Sequence, residues 1–495
     1  MTSRTMLVLS AGAVLLLAGC RKTEPYQTPS TPRPEAYKEA LPDAFKEAPG
    51  DQAGKAWKPS APADSVAKGK WWEVFHDPAL NALEDGVDVS NQSLKSAEAR
   101  FCQARALIHE TRSARLPRIT GGASVSRDRL SQNRGVPPPP GDAAYGDFSL
   151  GFDAAYEVDL WGRVRNQVAA SVASSQATAA DLEAVRLSLH AELALDYFDL
   201  RSLDEERRII ERAVEAYSQA LALTRRRFEG GVANQVEVAE AETQLEAARA
   251  QHIDIAERRA QFEHALAALT GQSAESFALP ETGTPVAPPV IPVGVPSDLL
   301  ERRPDIAAAE RRVAEANSKV GLTKAAFFPT IMLGLTAGLE GGSIANWLNW
   351  PSRLWALGPS AAQTLFDAGH RRAATEGAVA NYDASVADYR QSVLAAFQQV
   401  EDHIASLRVL EAESQRQKLA VEAARRSETL SLNRYKGGLV TYLEVASAQT
   451  VTLQNERVQQ GIARRLMEAS VLLIKTVGGG WDAKSLPTAQ QLAGR

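Results

Sequence analysis

Chemistry needs side chains that ionise, ligate or attack, so the residues able to do so come first. The seven histidines, His76, His109, His190, His252, His264, His370 and His403, are scattered along the chain. None belongs to a His-Glu-x-x-His pair, none has a cysteine pair nearby, and no regular spacing brings them to a shared face, so no metal centre is expected. There is no phosphate-binding Gly-rich loop and no Gly-x-Ser-x-Gly elbow, which leaves NTP use and hydrolase chemistry without support. No catalytic residue and no cofactor is therefore expected. A net charge of -5 gives no basic footprint for nucleic acid.

The residue whose setting does imply chemistry is Cys20. Arg4 is followed by a mostly apolar run over residues 6–18, too short to span a bilayer and of the right length for a signal peptide. Residues 1–19 are thus expected to be removed on export. The run ends in Leu17-Ala18-Gly19-Cys20, which looks like a bacterial lipobox, where the cysteine is acylated and becomes the first residue. Arg21, standing where an aspartate would favour retention at the inner membrane, points to the outer one. The other cysteine, Cys102, then has no disulfide partner and is expected to be a small buried hydrophobe.

The elements that position the chain follow from its patterning. Residues 20–68 carry eight prolines, from Pro25 to Pro62, among polar residues, and predict an extended lipidated tether. Leu80, Leu83, Val87, Leu94, Ala97, Phe101, Ala104 and Ile108 then recur at spacings of three, four or seven, a coiled-coil seam. Between Val164 and Glu229 there is no Gly or Pro, and Leu203, Ile210, Val214, Tyr217, Leu221 and Phe228 keep the seam. Such a rod would reach roughly 100 Å at 1.5 Å per residue. A second rod over residues 232–270 follows Gly230-Gly231, so a long antiparallel hairpin with a tight tip is expected.

A shift of 207 residues lays Arg227-Phe228-Glu229-Gly230-Gly231-Val232 over Arg434-Tyr435-Lys436-Gly437-Gly438-Leu439. It also superposes Arg201 on Arg408, Gly162 on Gly369 and Gly271 on Gly478. An unbroken offset of that length means duplication. The expected organisation is a first repeat over 69–279, a Pro-rich linker over 280–298, a second repeat over 299–480 and a tail over 481–495. Each repeat holds a helix, two strands and a hairpin. The strand segments are 119–130 and 148–160, then 329–340 and 354–366, rich in Gly, Ser, Thr and apolar residues and near the length of a membrane-spanning strand. Trp347, Trp350 and Trp355 lie where interfacial tryptophans would sit. On composition alone, a soluble sheet remains open for these segments.

Four strands cannot close a barrel, and an open edge in lipid leaves backbone groups unpaired at several kcal/mol each. If they span a membrane, several chains must share one barrel.

Two segments carry a resemblance to a known family. Trp71-Trp72-Glu73-Val74-Phe75-His76-Asp77-Pro78-Ala79-Leu80 and Glu301-Arg302-Arg303-Pro304-Asp305-Ile306, running on to Ala325-Ala326-Phe327-Phe328-Pro329, resemble signature segments of the TolC-like outer membrane factors, of the OprM/NodT lipoprotein branch. The resemblance covers nearly the whole chain. It implies an α+β membrane protein: a homotrimer whose twelve-stranded β-barrel, four strands per chain, continues into a long α-helical periplasmic tunnel. It also implies the outer-membrane duct of a tripartite efflux pump for drugs or other small molecules, passive and not an enzyme. A periplasmic adaptor, an inner-membrane pump and outer-membrane lipid are its expected partners. The tips, with Gly230, Gly231, Val232, Gly437, Gly438 and Leu439, resemble the family's adaptor-docking site. Arg227 and Arg434 are expected to organise the helix ends, where a cation favours the macrodipole. The family's acidic gate has no matched position: Glu422, Arg425, Arg426 and Glu428 lie above the second tip, with Leu432 and Asn433 nearest Arg434. Trp71, Trp72 and Phe75 are expected to pack on the helical body, and Arg302, Arg303 and Asp305 to form salt links at a helix start. Two other functions stay open: a protein-secretion duct of the same fold, and a lipid-anchored coiled-coil scaffold or adaptor without a pore.

Overall fold

In the computed structural model the described residues are 26–31, 37–39, 70–129, 131, 144–281, 288–289 and 302–492. Cys20, the signal segment, most of the Pro-rich tether and most of the link between the first two strand segments lie outside them.

Among the described residues the first element is a 3-10 turn, Trp71–Phe75, followed by α1 (Pro78–Ser90) and α2 (Gln92–Ser113). Asn91 breaks what the seam suggested was one helix. It sits in extended conformation, its side-chain oxygen caps α2 at Leu94 N–H (3.0 Å), and its amide donates to Leu269 O (2.8 Å). The apolar register nevertheless crosses the break, with Val87 and Leu94 both buried. Two strands follow, β1 (Arg118–Arg129) and β2 (Ala144–Glu157), then α3 (Arg163–Glu229) and α4 (Gln235–Leu269). The second half repeats the plan with α5 (Pro304–Ala325), β3 (Thr330–Gly341), β4 (Arg353–Ala362), α6 (His370–Lys436) and α7 (Tyr442–Thr476). A short α8 (Ala489–Leu492) ends the described chain.

Both long helices, α3 and α6, have 67 residues, and both return helices have 35. Each pair is related by the 207-residue shift at both ends. At 1.5 Å per residue a 67-residue helix is about 100 Å long. Residues 232–234, expected in the return rod, belong instead to the turn, because Asn234 is the N-cap that accepts from Glu237 N–H at 3.0 Å.

The four strands form one antiparallel sheet in the order β1-β2-β3-β4, leaving β1 and β4 as edges. Its register sorts the side chains onto two faces. Ile119 pairs with Ala154, Val125 with Phe148, Leu150 with Leu339, Ala154 with Leu335, and Leu335 with Leu357 on one face. On the other, Thr120 pairs with Asp153, Asp153 with Thr336, and Ser149 with Glu340. One face is mainly apolar and the other mainly polar, with Arg127, Arg129 and Arg353 on the apolar face confined to the β1–β2 and β3–β4 turn end, the pattern of a wall between lipid and water. Among the described residues no helix is long and apolar enough to cross a membrane.

The main core is a girdle where the N-terminal turn meets the helices. Trp71, Trp72 and Phe75 are buried there with Tyr197, Phe198, Val400, Ile404, Leu466 and Val471. Trp71 packs edge-on against Trp72 (5.9 Å) and Phe75 (6.4 Å), as expected of a segment held to the body by aromatic burial. Arg303 makes two hydrogen bonds to the Asp305 carboxylate and donates to Thr476 O (3.2 Å), tying the start of α5 to the end of α7.

The expectation for Cys102 fails. Cys102 is exposed in the chain, not buried. The seam passes through Leu94, Ala97, Phe101, Ala104 and Ile108, and a residue directly after Phe101 points about 100° away from it. Helix position overrides the general preference of a free thiol for the interior.

Candidate functional site

The hairpin tips are built by helix-ending chemistry. α3 stops because Gly231 adopts φ +71, which lets Val232 N–H return to Arg227 O (2.8 Å) and Gly231 N–H to Phe228 O (2.9 Å). α6 stops in the same way: Gly438 has φ +75, Leu439 N–H bonds Arg434 O (2.9 Å) and Gly438 N–H bonds Tyr435 O (2.9 Å). An L side chain at either position would be strained by about 1 kcal/mol.

The two tips lie together. Arg227, expected only to complement its helix end, donates from Nη1 to Tyr435 O across the two hairpins (2.5 Å), and its guanidinium covers the Tyr435 ring at 4.5 Å. Arg434 does remain local, bonding Glu444 at 2.8 Å. Three tyrosine hydroxyls complete the seam between hairpins: Tyr435 to Thr224 Oγ1 (3.1 Å), Tyr442 to Gln244 Oε1 (3.1 Å) and Tyr217 to Gln449 O (3.4 Å). Tyr217, Tyr435 and Tyr442 are buried in one cluster with Leu221, Leu245 and Val445. Burial raises the pKa of all three phenols, Tyr442 to beyond its ordinary range. They stay neutral and serve as donors.

Beside charged Glu229, Arg434 and Lys436, the tips leave apolar side chains exposed. Val232 is 68% exposed and Val236 64%, and their repeat counterparts Leu439 and Leu443 are 72% and 59% exposed. Val232 lies in the turn and Val236 in the first turn of α4, as Leu439 and Leu443 do in the second hairpin, so each tip exposes two apolar side chains. Val232 and Leu439 were expected at the site; Val236 and Leu443 were missed, although the same 207-residue shift relates them. Gly230 and Gly437 are the helix C-caps and are exposed.

Above the second tip the acidic and basic residues pair off. Arg425 bonds Glu456 at 2.6 Å, and the Glu428 carboxyl is lifted by burial, with Glu456 and Arg425 nearby. Glu422 and Arg426 are exposed.

At the opposite end of the molecule the sheet offers its second surface. Thr336 Oγ1 donates to Asp153 Oδ1 (2.7 Å) on the polar face, while Phe152, Leu333, Leu335, Trp355 and Leu357 are exposed on the apolar face. Trp350 and Trp355 project at the β3–β4 turn, with Arg353 over the Trp350 ring at 4.5 Å. Among the described residues no three His, Cys, Asp or Glu side chains converge as a metal site.

The model for "Outer membrane efflux protein" matches residues 87–272 and 295–479. The chain belongs to the outer membrane efflux protein family. The model matches once in each half of the chain, and membership places it in the outer membrane as a channel component of an efflux system. Among its relatives is the solvent efflux pump outer membrane protein SrpC of Pseudomonas putida, 30% identical over 475 residues, 95% of this chain and 97% of that one. The pyoverdine export outer membrane protein OpmQ of the same species is 31% identical over 430 residues, covering 86% and 90%. The solved structure of the outer-membrane channel OprN superposes with a TM-score of 0.84 at 31% identity, over 93% of this chain and all of that one.

Proposed function

We propose that this efflux family member is the passive, lipid-anchored exit duct of a tripartite pump for small organic molecules, working as a homotrimer. The observation that carries it is the sheet: four strands with sorted faces and two open edges. Backbone donors and acceptors on β1 and β4 demand partners in lipid, and three chains edge to edge supply twelve strands. Beneath such a barrel, six hairpins of matched length end at one level, where the apolar pairs Val232/Val236 and Leu439/Leu443 face the periplasm. A periplasmic adaptor bridging to an inner-membrane pump would meet these patches first. Small-molecule cargo is favoured over protein cargo by the relatives named for solvent and pyoverdine export. Acylation of Cys20 adds a membrane anchor to the barrel.

The test uses cells lacking their own duct but supplied with adaptor and pump. The wild-type chain should restore drug resistance. Gly231→Trp and Gly438→Trp should abolish it with trimer yield unchanged, while Gln251→Trp on the exposed mid-helix should do little. Tip variants that export normally, or that fail only because no trimer accumulates, would overturn docking at the tips.

A further inference from the structure

Charge is sorted across the sheet as sharply as hydropathy. The strand register puts Asp128, Asp147, Asp153, Glu157 and Glu340 on the face that carries Thr120 and Thr336. Among the described residues no carboxylate stands on the other face, with Ile119, Leu335 and Leu357. The arginines divide the opposite way. Arg118 alone lies on the polar face, at the foot of β1 beside the helices. Arg127, Arg129 and Arg353 lie on the apolar face, at the turn end away from the helices. Asp128 stands between two of them in sequence and still turns to the polar side, where Ser126 Oγ donates to its carboxylate at 2.6 Å.

The three arginines are exposed, and among the described residues none has a carboxylate partner. Arg353 is held in place without one: its Nη1 donates to Trp350 O (3.3 Å) and its guanidinium covers the Trp350 ring at 4.5 Å. Trp355, two residues on along the same face, is 74% exposed. Eight residues separate Ile119 from Arg127, roughly 26 Å along the strand and about 20 Å of height at a tilt of about 40°. An outward apolar band is about 25 Å tall, so Arg127 and Arg129 sit at its upper margin, at the level of lipid headgroups. Indole rings favour that same level.

Desolvation does not explain why only cations stand there. On a lipid-facing barrel wall a carboxylate is less costly than an arginine, so a margin that merely tolerated charge would hold both signs. A wall that carries arginines alone, and sends every strand carboxylate to the other side, is complementary to anions in the headgroup layer. Arginine also matches phosphate in shape, since its planar fork binds two phosphate oxygens at once.

The arginines also lie at the edges of the sheet. β1 carries two and β4 the third, and within one chain three strand spacings, about 14 Å, separate them. When chains share a barrel, β4 of one lies about 4.8 Å from β1 of the next, so all three kinds of arginine come to the same junction. A lone protomer holds only part of this set.

We propose that the outer margin of each chain junction is a binding site for the phosphate groups of a membrane glycolipid, formed by Arg353 of one chain with Arg127 and Arg129 of the adjoining copy, with Trp350 and Trp355 against the upper part of its acyl chains. This rests on the shared barrel proposed above. The lipid then bridges two chains, and a trimer carries three such bridges.

Native mass spectrometry of the full-length protein in mild detergent, with divalent cations chelated, reads subunit number and bound lipid together. Diphosphorylated lipid A is the probe, with lipid A stripped of its phosphates and inorganic phosphate as the other two arms. The wild-type trimer should retain up to three diphosphorylated lipids under conditions where the stripped lipid, with the same acyl chains, is lost, and excess inorganic phosphate should not displace them. Arg127→Gln/Arg129→Gln/Arg353→Gln should bind the probe at least tenfold more weakly, while Arg118→Gln, on the polar face, should bind as wild type. Arg353→Gln alone should weaken binding in the same direction, which keeps the test open if the triple variant yields no trimer. Arg353→Lys, which keeps the charge without the fork, should fall between Arg353→Gln and wild type. Trimers that hold the stripped lipid equally well, that release the probe to inorganic phosphate, or that bind it equally in the glutamine variants would overturn the lipid site and leave the shared barrel standing. A wild-type spectrum of monomers would overturn the shared barrel, and the junction with it.

Discussion

Glu84 and His190 face each other at 2.6 Å, both nearly without exposure, with the Trp72 ring stacked on the imidazole at 4.3 Å. They join α1 to α3 inside the aromatic girdle. Burial lifts the Glu84 carboxyl from about 4.5 to about 7, more than the contact with His190 lowers it. The folded state then keeps a proton that the unfolded chain gives up, so this group's contribution to stability falls as pH rises from about 4.5 to about 7. At 1.36 kcal/mol per unit the loss is on the order of 3 kcal/mol. Glu84→Gln keeps the shape without the charge. Its thermal midpoint should fall clearly less between pH 5 and pH 8 than that of the wild type, and an equal fall would assign the pH dependence elsewhere. Arg227 offers a second test, because it bridges both backbone and ring of the opposite hairpin. Removing a hydrogen bond and a cation–π contact costs about 1–2 kcal/mol. Arg227→Ala should therefore speed amide exchange at residues 435–439 roughly tenfold, with amides of the girdle unchanged. The reason the contact of Arg227 with the other hairpin was not legible from sequence is physical. A cation in the last turn of a helix satisfies the macrodipole by itself, and nothing local announces a partner 208 residues away. The useful signal was asymmetry between the repeats: Phe228 is matched by Tyr435, Gln235 by Tyr442 and Ala424 by Tyr217. Where the copies differ by a gained hydroxyl, the hairpins touch.

Elements were the most legible scale. The run free of Gly and Pro over 164–229, ended by Gly-Gly, gives bounds that agree with α3 to within a residue, and the 207-residue shift carries them onto α6 although Gly377 lies inside it, because helix termination is local chemistry. Strand ends were less legible. The fourth segment was expected to reach residue 366, yet β4 ends at Ala362 and Leu365 and Phe366 lie beyond it, exposed. Strand length depends on partners across the sheet, and composition does not carry those. The break at Asn91 was hidden for the opposite reason, since the seam continues through it. The face assignment of the strands makes a sharp expectation. Leu335 pairs with Ala154 and Leu357 on the apolar face, and the next residue, Thr336, bonds Asp153 on the polar one. An arginine at the bilayer midplane costs about 2–4 kcal/mol on the lipid face and little on the lumen face. Leu335→Arg should sharply reduce the amount of folded protein in outer-membrane fractions, and Thr336→Arg should leave it close to wild type. Equal yields would mean that the two faces are not lipid and water.

For the whole molecule, duplication turns one hairpin into two, and the sheet then forces assembly. Within one chain the main neighbours of α6 are α5 and α7, with Tyr435 touching α3 at the tip, whereas α3 is flanked along its length by α2, α4, α5 and α7. The flank of α6 and the edges of β1 and β4 are left for copies of the same chain. A single protomer gives half-walls at both levels, and closure of either level requires the others. The native mass in mild detergent is the most direct test of this. A trimer of three times 53.3 kDa less the signal peptides is expected, and a folded monomer that keeps its strands in lipid would contradict the shared barrel.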